Sequence, residues 1–123
     1  MKTQRILVVE DNIPLAIGLE TCLKSHGFDV QRTLDGEEAL VVCRRWLPDL
    51  IVTDLLMSNM DGKTFLQHLR ALPGGDTIPV IVISGLLDSR ILQDVKDLGV
   101  KKVLFKPFDL TEFVQTIRNS LPS

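Results

Sequence analysis

"DLIVTDLLMSNMDG", residues 49–62, is the stretch on which the fold turns. Leu50, Ile51 and Val52 form a short apolar run of the kind buried on both faces of a parallel sheet. Asp54 follows almost at once, and a carboxylate at the mouth of a buried strand is expensive to keep unless it is paired. Met60-Asp61-Gly62 then turns the chain. Beyond it Phe65, Leu66, Leu69 and Leu72 recur at the spacing of an amphipathic helix. The unit reads strand, acid, turn, helix.

Working outward, the same strand–helix alternation recurs to give five βα units. "RILVV" (5–9) predicts a first buried strand. Pro14 suits a first helical turn, Leu15, Leu19, Cys22 and Leu23 supply an apolar stripe, and His26-Gly27 a stop. "FDVQRT" (28–33) alternates more and predicts an edge strand. Asp35 and Glu38 have capping-box spacing ahead of a helix whose expected apolar face is Ala39, Leu40, Cys43 and Leu47, ended by Pro48. "VIVIS" (80–84) is the most buried-looking strand, followed by a helix marked by Ile91, Val95 and Leu98 and stopped by Gly99. "KKVLF" (101–105) is a fifth strand. Asp109 and Glu112 open a last helix with the stripe Leu110, Phe113, Val114, Ile117 and Leu121. Alternation of this kind predicts an α/β fold, a doubly wound (βα)5 domain spanning 1–123. Its parallel sheet should have strand order 2-1-3-4-5, with right-handed crossovers and helices on both faces.

Composition excludes several classes. The chain has 123 residues, 45% apolar and 24% charged, with net charge −2. That length buries a core without disulfides or structural metal. No basic block points to nucleic acid. No apolar run is long enough to span a membrane, and the N-terminus does not read as a signal peptide, so a cytoplasmic location is expected. Cys22 and Cys43 lack metal-ligand spacing and read as reduced, buried thiols. His26, His68, Arg44 and Arg45 read as solvent-facing, and Trp46 as packing at a helix end.

In such sheets, sites form at the carboxyl ends of strands near the reversal of strand order, here between strands one and three. Glu10 and Asp11 follow the first strand, Asp54 the third, Ser84 the fourth and Lys106 the fifth. Each alone is a cap or a surface charge more often than not. Together they predict carboxylates converging where a divalent cation would relieve their repulsion, with a hydroxyl and an ammonium completing a site for a phosphoryl group.

At these residues the chain resembles the receiver domain of two-component response regulators, the CheY-like superfamily, over nearly its full length. The matching motifs are "ILVVEDN", "DLIVTDLLMSNMDG", "VIVISG" and "VLFKPF", in that order. The resemblance implies that Asp54 accepts a phosphoryl group from a phosphohistidine on a sensor histidine kinase or phosphotransfer protein. It implies Mg²⁺ held by Asp11, by Glu10 through water, by Asp54 and by the backbone carbonyl of Leu56. Ser84 would hydrogen-bond the phosphoryl group, Lys106 would pair with it, and the Lys106–Pro107 bond would be cis. The output would be a downstream protein or fused domain. The domain itself would bind no nucleic acid or membrane, and would be a monomer or a phosphorylation-linked dimer.

The chain departs from the family at three places. Ser58 replaces a usual proline, Val103 a usual aromatic switch residue, and Leu56 is apolar where a polar side chain orients attacking water. The alternative is a pseudo-receiver, an interaction module that is not phosphorylated. A dehalogenase-like phosphatase would want an acid at Leu56, and flavodoxin-like flavin binding a phosphate loop after the first strand, where Glu10 and Asp11 stand. The last residues, "NSLPS", carry no output domain, which leaves a stand-alone regulator or a receiver from a longer protein.

Overall fold

Strands and helices alternate without exception in the computed structural model, which describes residues 3–57, 60–85 and 88–122. The order is β1 (Arg5–Val9), α1 (Ile13–Ser25), β2 (Asp29–Thr33), α2 (Gly36–Arg45), β3 (Leu50–Asp54), α3 (Gly62–Ala71), β4 (Val80–Ser84), α4 (Ser89–Asp97), β5 (Lys102–Phe105) and α5 (Leu110–Ser120). All strands pair in parallel, in the order β2-β1-β3-β4-β5 predicted from the sequence. β1 and β3 sit side by side with Val9 level with Thr53, so the residues just beyond them emerge together.

The two-residue period of the strands divides the core in two. Leu7, Val9, Ile51, Val80 and Val82 face α2, α3 and α4. Ile6, Val8, Leu50, Val52, Ile81, Ile83 and Leu104 face α1 and α5. The middle strands β1, β3 and β4 therefore read as unbroken apolar runs, because both of their faces are covered.

Helix starts follow their caps. Asp35 accepts from the Glu38 N–H at 2.8 Å and Asp109 from the Glu112 N–H at 2.7 Å, as the capping-box spacing predicts. Asn12, Asp61 and Asp88 cap α1, α3 and α4 in the same way. Each such cap contributes about 1 kcal/mol. α1 and α4 end in paired bonds through Gly27 (φ +90°) and Gly99 (φ +83°), the left-handed position that glycine occupies without strain.

Several packing expectations are corrected. Leu47 lies beyond the end of α2 and is 48% exposed, while Val42 is buried in its place. The residue before a proline is pushed out of helical geometry, so α2 stops before Leu47 rather than at Pro48. Leu110 is the first residue of α5, directly after its cap Asp109, and is 49% exposed. α4 buries only Val95, with Ile91 and Leu98 half-buried. Cys43 is buried and Cys22 only half-buried, and both are free thiols. Burial pushes the Cys43 thiol up to about 11, so it stays protonated and unreactive at neutral pH. His26, His68, Arg44 and Arg45 are exposed, and Trp46 caps α2 beneath the Arg5 guanidinium, 5.5 Å from the ring centroid.

Thr33, at the end of β2, is 3% exposed, and its hydroxyl has no hydrogen-bond partner. An unpaired buried hydroxyl costs about 1–3 kcal/mol. Thr33→Val keeps the shape and removes the group, so it should raise the urea midpoint, by the equivalent of about 1 kcal/mol. A lower midpoint would mean that the hydroxyl has a partner in solution.

Candidate functional site

Glu10 follows β1 directly, and its N–H still bonds the Thr33 carbonyl at 3.0 Å and continues the sheet ladder by one step. That bond keeps Glu10 at the sheet end, 1% exposed. Its carboxylate is filled from both sides. Oε2 accepts the Asn12 N–H at 3.1 Å and Oε1 accepts from Lys106 Nζ at 3.0 Å. Asn12 does double service, since its own side chain caps α1 through the Leu15 N–H.

Asp54 is the last residue of β3 and 5% exposed. The chain turns immediately after it, which brings the Leu55 and Leu56 N–H groups back onto Oδ1 at 2.6 and 3.2 Å. Oδ2 accepts from Lys106 Nζ at 2.6 Å. One ammonium thus joins two buried carboxylates from strands adjacent in the sheet.

Lys106 follows β5 directly. Its N–H bonds the Ser84 carbonyl at 2.8 Å, which ties the ends of β4 and β5 together at the rim. Ser84 is fully buried. The Lys106–Pro107 peptide is cis, as the resemblance implied. Asp11 is exposed beside Glu10, and the Leu56 side chain is 60% exposed at the mouth. Ser58, where the family usually has proline, and Asn59 lie outside the described residues.

The electrostatics follow from burial. Burial pushes the Glu10 carboxyl above its ordinary value and the Asp54 charge adds to this, while the Asn12 N–H and Lys106 pull it partly back. Burial alone lowers Lys106, but its hydrogen bonds to Asp54 and Glu10 outweigh that and hold the ammonium above its ordinary value. The site therefore carries two acids, one of them reluctant to ionise, balanced on a single firmly charged lysine.

Sequence reading located Glu10, Asp54, Ser84 and Lys106 at neighbouring strand ends, and hydrogen bonds connect them. It missed Asn12, which orients Glu10, and the two backbone N–H groups that orient Asp54. It also missed how tightly Gly62 closes the loop. The Gly62 N–H bonds the Leu55 carbonyl at 2.9 Å, and a Cβ on Gly62 would lie 2.6 Å from the Asp54 carbonyl oxygen. The sequence showed a turn glycine there but not the backbone it meets.

The family model of the response regulator receiver domain matches residues 6–118. The chain belongs to that family. Sporulation initiation phosphotransferase F of Bacillus subtilis is 27% identical over 122 residues, which cover 99% of this receiver and 97% of that protein. The DNA-binding response regulator MtrA of Mycobacterium tuberculosis is 34% identical over 118 residues, 96% of this chain. This receiver spans only about half the length (50%) of MtrA. Among solved structures, the receiver domain of a Pseudomonas aeruginosa sensor histidine kinase superposes with a TM-score of 0.89 at 27% identity. The match covers 99% of this chain and 100% of that one, and that structure has a magnesium ion coordinated in its active-site cleft.

The donor set of this receiver suits the same ion. Glu10, Asp11, Asp54 and the Leu56 carbonyl offer only oxygen, the preference of Mg²⁺. Among the described residues no three His, Cys, Asp or Glu side chains enclose a metal by themselves. That is compatible with an ion that keeps several of its waters. No described helix is long and apolar enough to cross a membrane.

Proposed function

We propose that this receiver is a phosphorylatable switch with Asp54 as the acceptor. The supporting observation is the Asp54 carboxylate, buried at the strand mouth with Oδ1 held by two N–H groups and Oδ2 by Lys106. Phosphoryl transfer depends mainly on positioning and on neutralising charge around the phosphorus. A carboxylate oxygen of Asp54 attacks the phosphorus of a phosphohistidine, on a sensor histidine kinase or a phosphotransfer protein. The N–P bond breaks, the imidazole keeps the electron pair, and an acyl phosphate forms on Asp54. Lys106 then moves its charge from the carboxylate to the phosphoryl oxygens, and Ser84 supplies a donor from the adjacent strand end. Magnesium held at Glu10, Asp11, Asp54 and the Leu56 carbonyl would supply further charge neutralisation when bound.

The domain, residues 1–123, acts in the cytoplasm and signals to a separate or attached output partner. It is not an enzyme with a turnover of its own beyond gaining and losing this group. Acetyl phosphate with magnesium should add one phosphoryl group by intact mass, and Asp54→Asn should abolish the gain. Wild-type protein that stays unmodified would favour the pseudo-receiver reading.

The exposed Leu56 side chain offers no polar atom to orient a water at the acyl phosphate. Self-dephosphorylation should therefore be slow, and Leu56→Asn should shorten the phosphate lifetime several-fold. Rapid unassisted loss in the wild type would contradict this. Val103 is half-buried against the α2–α4 side of the core, so the switch must reach its output face without an aromatic side chain at that position.

A further inference from the structure

α4 is held more firmly at one end than at the other. Its only buried residue is Val95, in its second half, and Leu98 and Val100 pack behind it. Toward its start Ser89 and Arg90 are exposed, and Ile91 and Leu92 pack half-buried against the same core. The Lys63–Asp94 pair to α3 is 3.0 Å long but nearly half exposed on both sides, a geometry that contributes well under 1 kcal/mol. The helix end is different. Gly99 and Val100 return their N–H groups to the Lys96 and Val95 carbonyls. The carbonyls of Leu98 and Gly99, just past the helix, are then taken by one side chain, Arg70 of α3. Nε bonds the Leu98 carbonyl at 2.8 Å and Nη2 the Gly99 carbonyl at 3.4 Å. Its Nη1 bonds the Gly75 and Ile78 carbonyls of the α3–β4 loop at 2.9 and 2.7 Å.

A guanidinium is the side chain suited to this work. It has five N–H groups in a rigid fork, and its charge at the C-terminus of α4 is favourable to the helix dipole. Asp76, Asp97 and Lys101 line the same 620 Å³ hollow, so water has access to its rim.

We propose that Arg70 is a latch that fixes the C-terminal end of α4 to the α3–β4 loop, making α4 a lever hinged at that end. The less firmly held end begins at Asp88, four residues after Ser84 of the site, so the hinge lies at the opposite end from the chemistry. Arg70 touches neither the acids nor Lys106 and is a positioning residue. The link from the lever to signalling rests on the function proposed above. The latch itself does not need phosphorylation, so the two can fail separately.

Hydrogen exchange followed by mass spectrometry on the unphosphorylated chain tests the latch. In the wild type, amides from Val95 to Val100 should exchange more slowly than those from Arg90 to Leu92. In Arg70→Gln that gradient should collapse, with exchange at Val95–Val100 rising roughly tenfold while β1, β3 and α1 keep their protection. Arg70→Lys keeps the charge without the fork and should fall between the two. Lys63→Ala should leave the gradient intact. Unchanged protection of α4 in Arg70→Gln would overturn the proposal. So would an even loss across every element, which would make Arg70 a contributor to global stability and no more.

Discussion

Lys106→Ala should lower stability at neutral pH by about 3 kcal/mol and should make the protein depend on magnesium for its stability. Removing one partner of a buried ion pair leaves the other charge without compensation, at a cost of about 3–5 kcal/mol. Lys106 retains 28% exposure of its side chain, which favours the low end of that range. What remains is Glu10 and Asp54, both buried and both acidic, sharing a rim with no cation. The sign of the pH dependence follows from the two shifts. The Glu10 carboxyl is raised, so its contribution favours the fold below the ordinary glutamate value and is lost as pH rises through the raised one. Lys106 is also raised, so its contribution is present below the ordinary lysine value and is lost only as pH rises through the raised one, in strong alkali. Between those windows the ammonium offsets the cost of ionising Glu10. Without it, the difference from wild type should be small in acid and grow toward neutrality. Magnesium should recover much of the loss at neutral pH, since oxygen-ligated Mg²⁺ supplies the missing charge. Urea denaturation at two pH values, with and without the ion, separates these effects. A loss independent of both pH and magnesium would mean that Lys106 matters through packing alone.

The elements most legible in the sequence were those whose pattern is set locally. β1, β3 and β4 were readable because strands covered on both faces admit almost nothing but branched apolar residues. Asp35 and Asp109 were readable as caps because the partner N–H lies three residues away. The strand ends could be paired because the second strand reads as an edge and the fourth as a centre, an order that places Glu10 next to Asp54 and Ser84 next to Lys106. Readability fell wherever the outcome depends on a distant segment. The apolar stripes of α2 and α5 gave most of the buried face but not the helix bounds, and Leu47, beyond the end of α2, and Leu110, at the first position of α5, proved exposed. Arg70 carried no signal in the sequence. Its partners are carbonyls as many as 29 residues away, and carbonyls leave no signature in sequence. Cys22 shared the stripe of α1 but sits at its margin, where helical spacing cannot distinguish a buried from a half-buried position.

Gly62→Ala should be a severe one-carbon change at the site itself. Gly62 is buried at the first position of α3, where the loop that leaves Asp54 returns to the strand. A Cβ there would stand 2.6 Å from the Asp54 carbonyl oxygen and 2.7 Å from the Leu55 Cα. Both are main-chain atoms, so no rotamer change relieves the contact and the backbone itself must move. The segment that would move carries the Leu55 and Leu56 N–H groups that hold Asp54 Oδ1, and the Leu55 carbonyl that accepts the Gly62 N–H. Overpacking of this kind costs about 1–3 kcal/mol, and the displaced loop should also reduce phosphorylation by acetyl phosphate by about tenfold or more, since small misplacements of reacting groups carry rate penalties of that size or larger. Gly18→Ala is the matched control. Gly18 lies within α1, and a Cβ there meets nothing within 4 Å, so alanine should add about 0.5–1 kcal/mol through helix propensity alone and leave phosphorylation unchanged. The same methyl group should thus stabilise one helix and disable the site at the start of another. If Gly62→Ala accepted phosphate at the wild-type rate, the loop geometry around Asp54 would not be what makes it an acceptor, and the assignment would rest on Lys106 and the carboxylates alone.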